Sequence, residues 1–308
     1  MGKYEKLREL AVVTAKCWNE VNWLRMQQFK KGVRIDFAET EKEAYEKYKH
    51  ALRVNASQVA RKNAEDWRSF FSLIKEEREE GKLPKRFKPR PPGYWRDEDG
   101  EYKLMIIIRN DRYEVNESER TIYLKDFKLP LRFKGKLKWR GKQGRLEIIH
   151  DEARRSWYAH IPMEVENVAE AKGDLRAGVD LGIVNLATVY VEDGAWFLFK
   201  GGGVLSQYEY YSKKIRSVQK LLARHRQRTS RRLKSLYDRR KKFLRHALNS
   251  MVRKIMGELI ARGVGEVVVG YPKGIARGRG NKLTSNFWSY NYTIRRFEEV
   301  GEELGVRV

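Results

Sequence analysis

Apolar residues along the first 80 positions recur at helical spacing. Leu10, Val13, Cys17, Val21 and Leu24 lie three or four residues apart and form one stripe. Ala60, Ala64, Trp67, Phe71 and Ile74 repeat the pattern, with Asn55 placed to cap the helix they belong to. Packing between helices is the simplest use of these aromatics, and residues 1–80 are expected to be a helical segment. The periodicity stops between Gly81 and Gly93, where Pro84, Pro89, Pro91 and Pro92 fix φ and remove amide donors. A boundary is expected there.

Beyond it the period shortens. YKLMIII, TIYL, LRF, KLKW, RLEII and WYAHIPM, between Tyr102 and Met163, are short apolar runs separated by turn residues such as Asn110-Asp111 and Gly141 to Gly144. Strands at this spacing predict a small antiparallel β-barrel or sandwich over residues 81–165. A polar linker is read over 164–175. Then RAGVDLG, LATVYV and AWFLF read as three strands, followed by a helical region over 205–262, the strand EVVVG, a helix over Tyr292–Leu304 and the start of a last strand in GVRV. That order, β-β-β-α-β-α, predicts an α/β domain over 176–308 with buried parallel strands. The fold class is therefore α/β plus β.

Charge changes the picture. The 308 residues carry 66 Lys and Arg against 41 Asp and Glu, a formal net charge of +25. Neutralising phosphates releases condensed counterions, so this surplus points to nucleic acid rather than to a merely solvated basic surface. An anionic membrane surface is a weaker option. No run of apolar residues is long enough to span a bilayer and no secretory signal follows Met1, so a cytoplasmic protein is expected. Cys17 is the single cysteine, which excludes an internal disulfide and a Cys-rich zinc site within these residues.

Two features carry candidate chemistry. Asp180 lies in an apolar strand and is flanked by Gly178 and Gly182. A carboxylate is costly to bury without a partner. Close approach beside glycines suits a divalent metal facing phosphate, and backbone amides satisfying the carboxylate are the plainer alternative. The second feature is the stretch Lys213 to Arg245, with 15 Lys or Arg and one acid, Asp238. Such a run is either a solvated helix face or a polyanion contact. Its mutual repulsion favours the latter. Lys213, Lys214, Arg224, Arg228, Arg231, Arg232, Arg239 and Arg240 are the candidate contacts. Lys138, Trp139, Arg140 and Lys142 could grip a backbone and stack bases, or be an ordinary exposed β surface. Gly201-Gly202-Gly203 reads as a flexible turn rather than a phosphate cradle, because no Lys-Ser/Thr follows. The five histidines show no metal-ligand spacing.

GVDLGIVNLATVYV, followed by GEVVVGYPKGIA and GNKLTSNFWSY, resembles the first two motifs of the RuvC-like nuclease domain in the TnpB/OrfB family of insertion-sequence proteins, in wording closest to archaeal members. LAVVTAKCWNEVN, PPGYWRDEDG, IRNDRY, GKQGRLEII, WYAHIPMEV and the basic stretch extend the likeness over nearly the whole chain. The resemblance implies an RNase H-like domain preceded by a β-barrel and helices. It also implies a guide RNA derived from the transposon end, a double-stranded DNA target, and cleavage by acids holding two Mg²⁺ ions. Asp180 stands at the first acid. Where many relatives carry the second, a Glu, this chain has Gly270, and Glu266 lies four residues earlier. The third acid and a four-Cys zinc ribbon are expected past Val308, so the chain reads as truncated at its C-terminus and, lacking a first strand, at its N-terminus. A DNA endonuclease lineage whose present chain does not cut is the first expectation. A nucleic-acid-binding protein acting without cleavage, repressor-like or generic, is the alternative.

Overall fold

A computed structural model of the protein describes residues 2–80, 88–96, 100–165, 173–270, 283, 287 and 289–308, with side chains 76–80 excepted. Part of the expected break at Gly81–Gly93 and part of the 164–175 linker lie outside the described residues. The chain divides into two compact units, Met1–Val165 and Glu166–Val308.

The first unit opens with helices α1 (Lys3–Lys30), α2 (Phe37–Leu52) and α3 (Asn55–Glu80). Asp36 caps α2 by accepting from the amides of Ala38 and Glu39. Asn55 does not play the expected capping part. Its side-chain amide donates to the Leu52 carbonyl and to Asp126, and its Oδ1 accepts from the Arg109 amide, tying α3 to the strands.

Eight strands follow. Strand β1 (Met105–Ile108) pairs antiparallel with β6 (Leu146–Asp151), and β6 with β7 (Ser156–His160). Strands β2 (Tyr113–Asn116), β3 (Thr121–Leu124) and β4 (Leu129–Arg132) form a second antiparallel sheet, and β5 (Lys142–Gln143) pairs with β8 (Met163–Glu164). The antiparallel short strands are as expected, but among the described residues the three sheets do not close into a barrel. KLKW is not a strand; Gly135, at φ 120°, precedes it.

Every residue of β1 is buried. Met105 and Ile107 pack with Trp18, Val59 and Ala60, while Ile106 and Ile108 pack with Ile122, Leu124 and Leu146. The strand is therefore covered on both faces. Arg25 of α1 is also fully buried. It donates to Thr40 Oγ1, the Ala60 carbonyl and Asn63 Oδ1. The segments expected at 1–80 and 81–165 share these cores.

The second unit holds a four-stranded sheet of β9 (Leu175–Leu181), β10 (Asn185–Val191), β11 (Trp196–Lys200) and β12 (Val264–Val269), in the order β11-β10-β9-β12. Between β11 and β12 run α4 (Gly202–Arg224) and α5 (Arg231–Ala261), and α6 (Tyr290–Leu304) follows. The β9–β12 pair is parallel, as expected of buried strands here, whereas β10 runs antiparallel to both β9 and β11. Arg307 begins a further strand against Glu266, with Val267 donating to its carbonyl at 2.8 Å.

One face of this sheet is core. Ala177, Val179, Leu181, Val189 and Val267 pack against Leu248, Val252 and Ile255 of α5 and Phe297 and Val300 of α6. Among the described residues no helix is long and apolar enough to cross a membrane.

Candidate functional site

Side chains alternate across a strand, and β9 follows that rule closely. Ala177, Val179 and Leu181 are buried; Arg176, Gly178 and Asp180 are exposed. Asp180 is therefore not the buried carboxylate expected from its apolar neighbours. It stands on the outer face of the sheet and is solvated there, because its neighbours' apolar side chains turn the other way.

Register fixes its surroundings. Asp180 lies opposite Thr188 of β10, which lies opposite Leu198 of β11. On the other side Gly270 directly follows β12, and its amide donates to the Val179 carbonyl at 2.8 Å. A Cβ built on Gly270 would lie 3.8 Å from Asp180 Oδ1. Burial first, then the Asp180 carboxylate, push the Tyr290 phenol at the start of α6 above its ordinary value.

Glu266 occupies the opposite end of the same face. It pairs with Arg176 at 2.9 Å and with Arg307 at 3.9 Å. Arg176 is four residues from Asp180, roughly 13 Å along a strand. Glu266 is thus too far to share a ligand with Asp180 and already has cationic partners.

The stretch read as one basic helix is a helical hairpin. Chain reversal occurs at His225–Ser230, with Arg226 at φ 53° and the Ser230 side chain accepting from the Leu233 amide to start α5. Ile215, Val218 and Leu222 of α4 pack on Leu233 and Leu236 of α5. Gly201 to Gly203 are not a free turn. Gly201 is buried and caps α4, and its missing Cβ matters because one would fall 2.3 Å from the Ile183 carbonyl.

Lys213, Arg216, Lys220 and Arg224 recur at spacings of three and four, so they form one stripe of α4, turned away from Ile215, Val218 and Leu222. Lys213, Lys214, Arg224, Arg231, Arg232 and Arg239 are exposed, as is Arg228 in the reversal. Within α4 the stripe meets one acid, Glu209, 3.9 Å from Arg216, and in α5 Asp238 is bound to Lys242 at 2.9 Å. Arg240 differs from the rest. It is half-buried, donates to Ser212 Oγ at 3.0 Å, and lies over the Tyr208 and Tyr237 rings. It joins the two helices.

In the first unit Lys138 lies 4.3 Å above the exposed Trp139 ring. The Cys17 thiol, buried in α1, is pushed up to about 12 by desolvation and is neutral at physiological pH.

A family model described as a probable transposase, OrfB_IS605, matches residues 160–276. The TnpB-like protein ORF457 of Acidianus two-tailed virus is 39% identical over 332 residues, covering 98% of this chain and 72% of its own length. The chain belongs to the TnpB/OrfB family. A solved structure titled as the Cas12f1-sgRNA-target DNA complex superposes with a TM-score of 0.56 at 12% identity, covering 99% of this chain and 71% of that one. This mixed arrangement of helices and sheets is therefore a Cas12f-like fold.

Relation to RuvC-like nucleases implies a divalent metal, and the residues present can be tested against one. Two-metal hydrolysis needs several carboxylates converging on one phosphate. The strands of this face carry Asp180 and the distant, paired Glu266, and Gly270 stands where a second ligand would be closest. Among the described residues no three His, Cys, Asp or Glu side chains gather to hold a metal. Residues 271–288 contain no Asp, Glu, His or Cys. Among the described residues the corner at Asp180 and Gly270 thus offers one carboxylate, which by itself does not fit a two-metal cluster.

Proposed function

We propose that this chain binds a guide RNA derived from a transposon end together with double-stranded DNA, and that its 308 residues hold both without cutting the DNA. In this reading the second unit is an RNase H-like, RuvC-like domain of the RNA-guided endonuclease lineage, with Asp180 at the first acid position. The observation that carries the binding half is the exposed basic stripe of the α4–α5 hairpin, left almost free of acids. The observation that carries the non-cutting half is the solitary Asp180 beside Gly270.

Like charges held along one helix repel unless a polyanion screens them, so the stripe is costly in a protein without such a partner. Arg224 and Arg228 to Arg232 bracket the chain reversal, where both helices present cations to one ligand. Arg240 is excluded from the contact set, because its guanidinium is committed inside the hairpin.

The test is one binding and cleavage series. Changing Arg224, Arg228, Arg231 and Arg232 to Gln is expected to weaken RNA binding and to lower the slope of log K against log salt by about 0.7–0.9 per lost phosphate contact. An unchanged slope rejects the hairpin as the contact. With guide RNA, target duplex and Mg²⁺ or Mn²⁺, the wild-type chain is expected to give no guide-dependent product. Cleavage that disappears in Asp180→Ala would reject the non-cutting half.

A further inference from the structure

The start of α1 is fastened to β6 and β7 through three rings. Tyr4 Oη lies 3.0 Å from His150 Nε2 of β6. The Tyr4 ring meets the His150 ring edge-on, with centroids 6.2 Å apart and planes at 81°, and meets the Trp157 ring of β7 at 6.1 Å and 73°. His150 and Trp157 are partners across the strand pair, with centroids 5.0 Å apart. The rest of this turn is lightly held. Gly2 to Glu5 are exposed, Leu7 is the first buried residue of α1, and the Lys6 ammonium between them donates to the Phe127 carbonyl.

Of the five histidines, His150 alone is half-buried; His50, His160, His225 and His246 are exposed. His150 Nδ1 and Trp157 Nε1 are buried and have no hydrogen-bond partner among the described residues. A neutral imidazole tolerates this, because its one proton can sit on Nε2 and be donated to Tyr4 Oη. An imidazolium carries N–H on both nitrogens, so in the same arrangement Nδ1 becomes a buried donor without an acceptor, on a charge shielded from water.

The groups facing the ring do not cancel that cost. Burial holds His150 below the ordinary histidine range, against Glu152 and Asp151, which favour the charged form, and with Arg8 of α1, which opposes it. Asp151 is itself bound by Arg154 at 3.8 Å, and Arg154 also donates to Tyr158 Oη of β7. On the β1 side the neighbour is a backbone carbonyl, that of Leu104, which accepts from the His150 amide.

We propose that Tyr4 and His150 form an acid-sensitive latch. His150 charges only when the first turn of α1 lifts off β6 and β7, so acid releases that turn and bares the His150 and Trp157 rings. A value lowered by latching means that the latched state is fully favoured above the ordinary histidine range. It weakens as pH falls through that range toward the latched value. The residues before Leu7 bury little apolar area, so their opening costs far less than global unfolding, and α1 stays anchored from Leu7 onward.

The test is nuclear magnetic resonance of the full 308-residue chain with labelled histidine and tyrosine. His150→Gln assigns the His150 Cε1–H signal. Over a titration from about pH 8 to about pH 5, the His150 midpoint is expected below those of the four exposed histidines. The Overhauser contact between the Tyr4 ring and His150 Cε1–H should disappear in step with that titration, while far-ultraviolet circular dichroism stays constant. Tyr4→Ala should raise the His150 midpoint to the range of the other four, and Tyr4→Phe, which keeps the covering ring, should leave it low. Three results each overturn the latch: a wild-type His150 that titrates with the other four, a midpoint unmoved in Tyr4→Ala, or an Overhauser contact that survives after His150 has charged. Loss of circular dichroism in step with the titration overturns it as well, because the acid transition would then be global.

Discussion

Two apolar strands, β1 in the first unit and β9 in the second, sit in different surroundings. β1 reads Met-Ile-Ile-Ile, and all four residues are buried, two in each of two cores. β9 reads Leu-Arg-Ala-Gly-Val-Asp-Leu, and its exposed residues alternate with buried ones. A continuous apolar run is what burial on both faces requires, and strict alternation is what burial on one face requires. The difference decides what each strand can do. β1 has no side chain left for chemistry, whereas β9 presents Arg176, Gly178 and Asp180 to solvent at the cost of one covered face.

The largest effects should separate the two strands. Ile107→Ala is expected to lose about 2–5 kcal/mol, because the cavity it leaves lies in a packed core. Leu198→Ala, on the outer face, should change stability by no more than about 0.5 kcal/mol. Urea unfolding followed by circular dichroism measures both. An equal loss in the two variants would mean that the second unit's outer face is covered in solution.

A matched pair of cations sharpens the same contrast. Arg25→Met should lose about 2–4 kcal/mol, since it strands the buried Asn63 Oδ1, Thr40 hydroxyl and Ala60 carbonyl. Arg176→Met, on the outer face, should be close to neutral, because Glu266 keeps Arg307 nearby. Comparable midpoints for the two variants would show that the Arg25 network contributes little.

The smallest effect is one of pH. Arg145 hydrogen-bonds Glu65 and holds its carboxyl below the usual carboxylate range. A depressed folded-state value means the contribution is complete above the ordinary range and disappears as pH falls through the folded value. Glu65 is half exposed, so the pair is worth about 0–1 kcal/mol. Glu65→Gln should therefore lower the neutral plateau of a stability–pH curve by about 0–1 kcal/mol and leave its far-acid end unchanged, so that the acid limb is flatter. A curve that keeps its full acid slope would assign that slope to other carboxylates.

The order of elements in the second unit was readable from the chain because each apolar run there has a clear period. The beginning of a strand at Arg307 and the helix before it were readable for the same reason. The side on which Asp180 lies was also written in the alternation of Arg176, Gly178 and Asp180, but reading the segment as an apolar run hid it. The hairpin was harder. Thr229-Ser230 holds a capping serine, yet the flanking basic residues are good helix formers and give no break in composition. The KLKW segment shows the opposite error, a β-like alternation with no partner strand to complete it. Arg240 could not be told from its basic neighbours, since only the tertiary position of Tyr208 and Tyr237 sets it apart.

Gly270 has one further consequence. It does not adopt a positive φ, and a Cβ there would meet the Val179 carbonyl at 3.4 Å, an ordinary contact. The backbone therefore does not demand a glycine, and the fold keeps a seat beside Asp180 that an acidic side chain could take without rebuilding the strand. The number of carboxylates at this corner is set by residue choice and not by architecture, so a single substitution, Gly270→Glu, separates a chain with one from a chain with two.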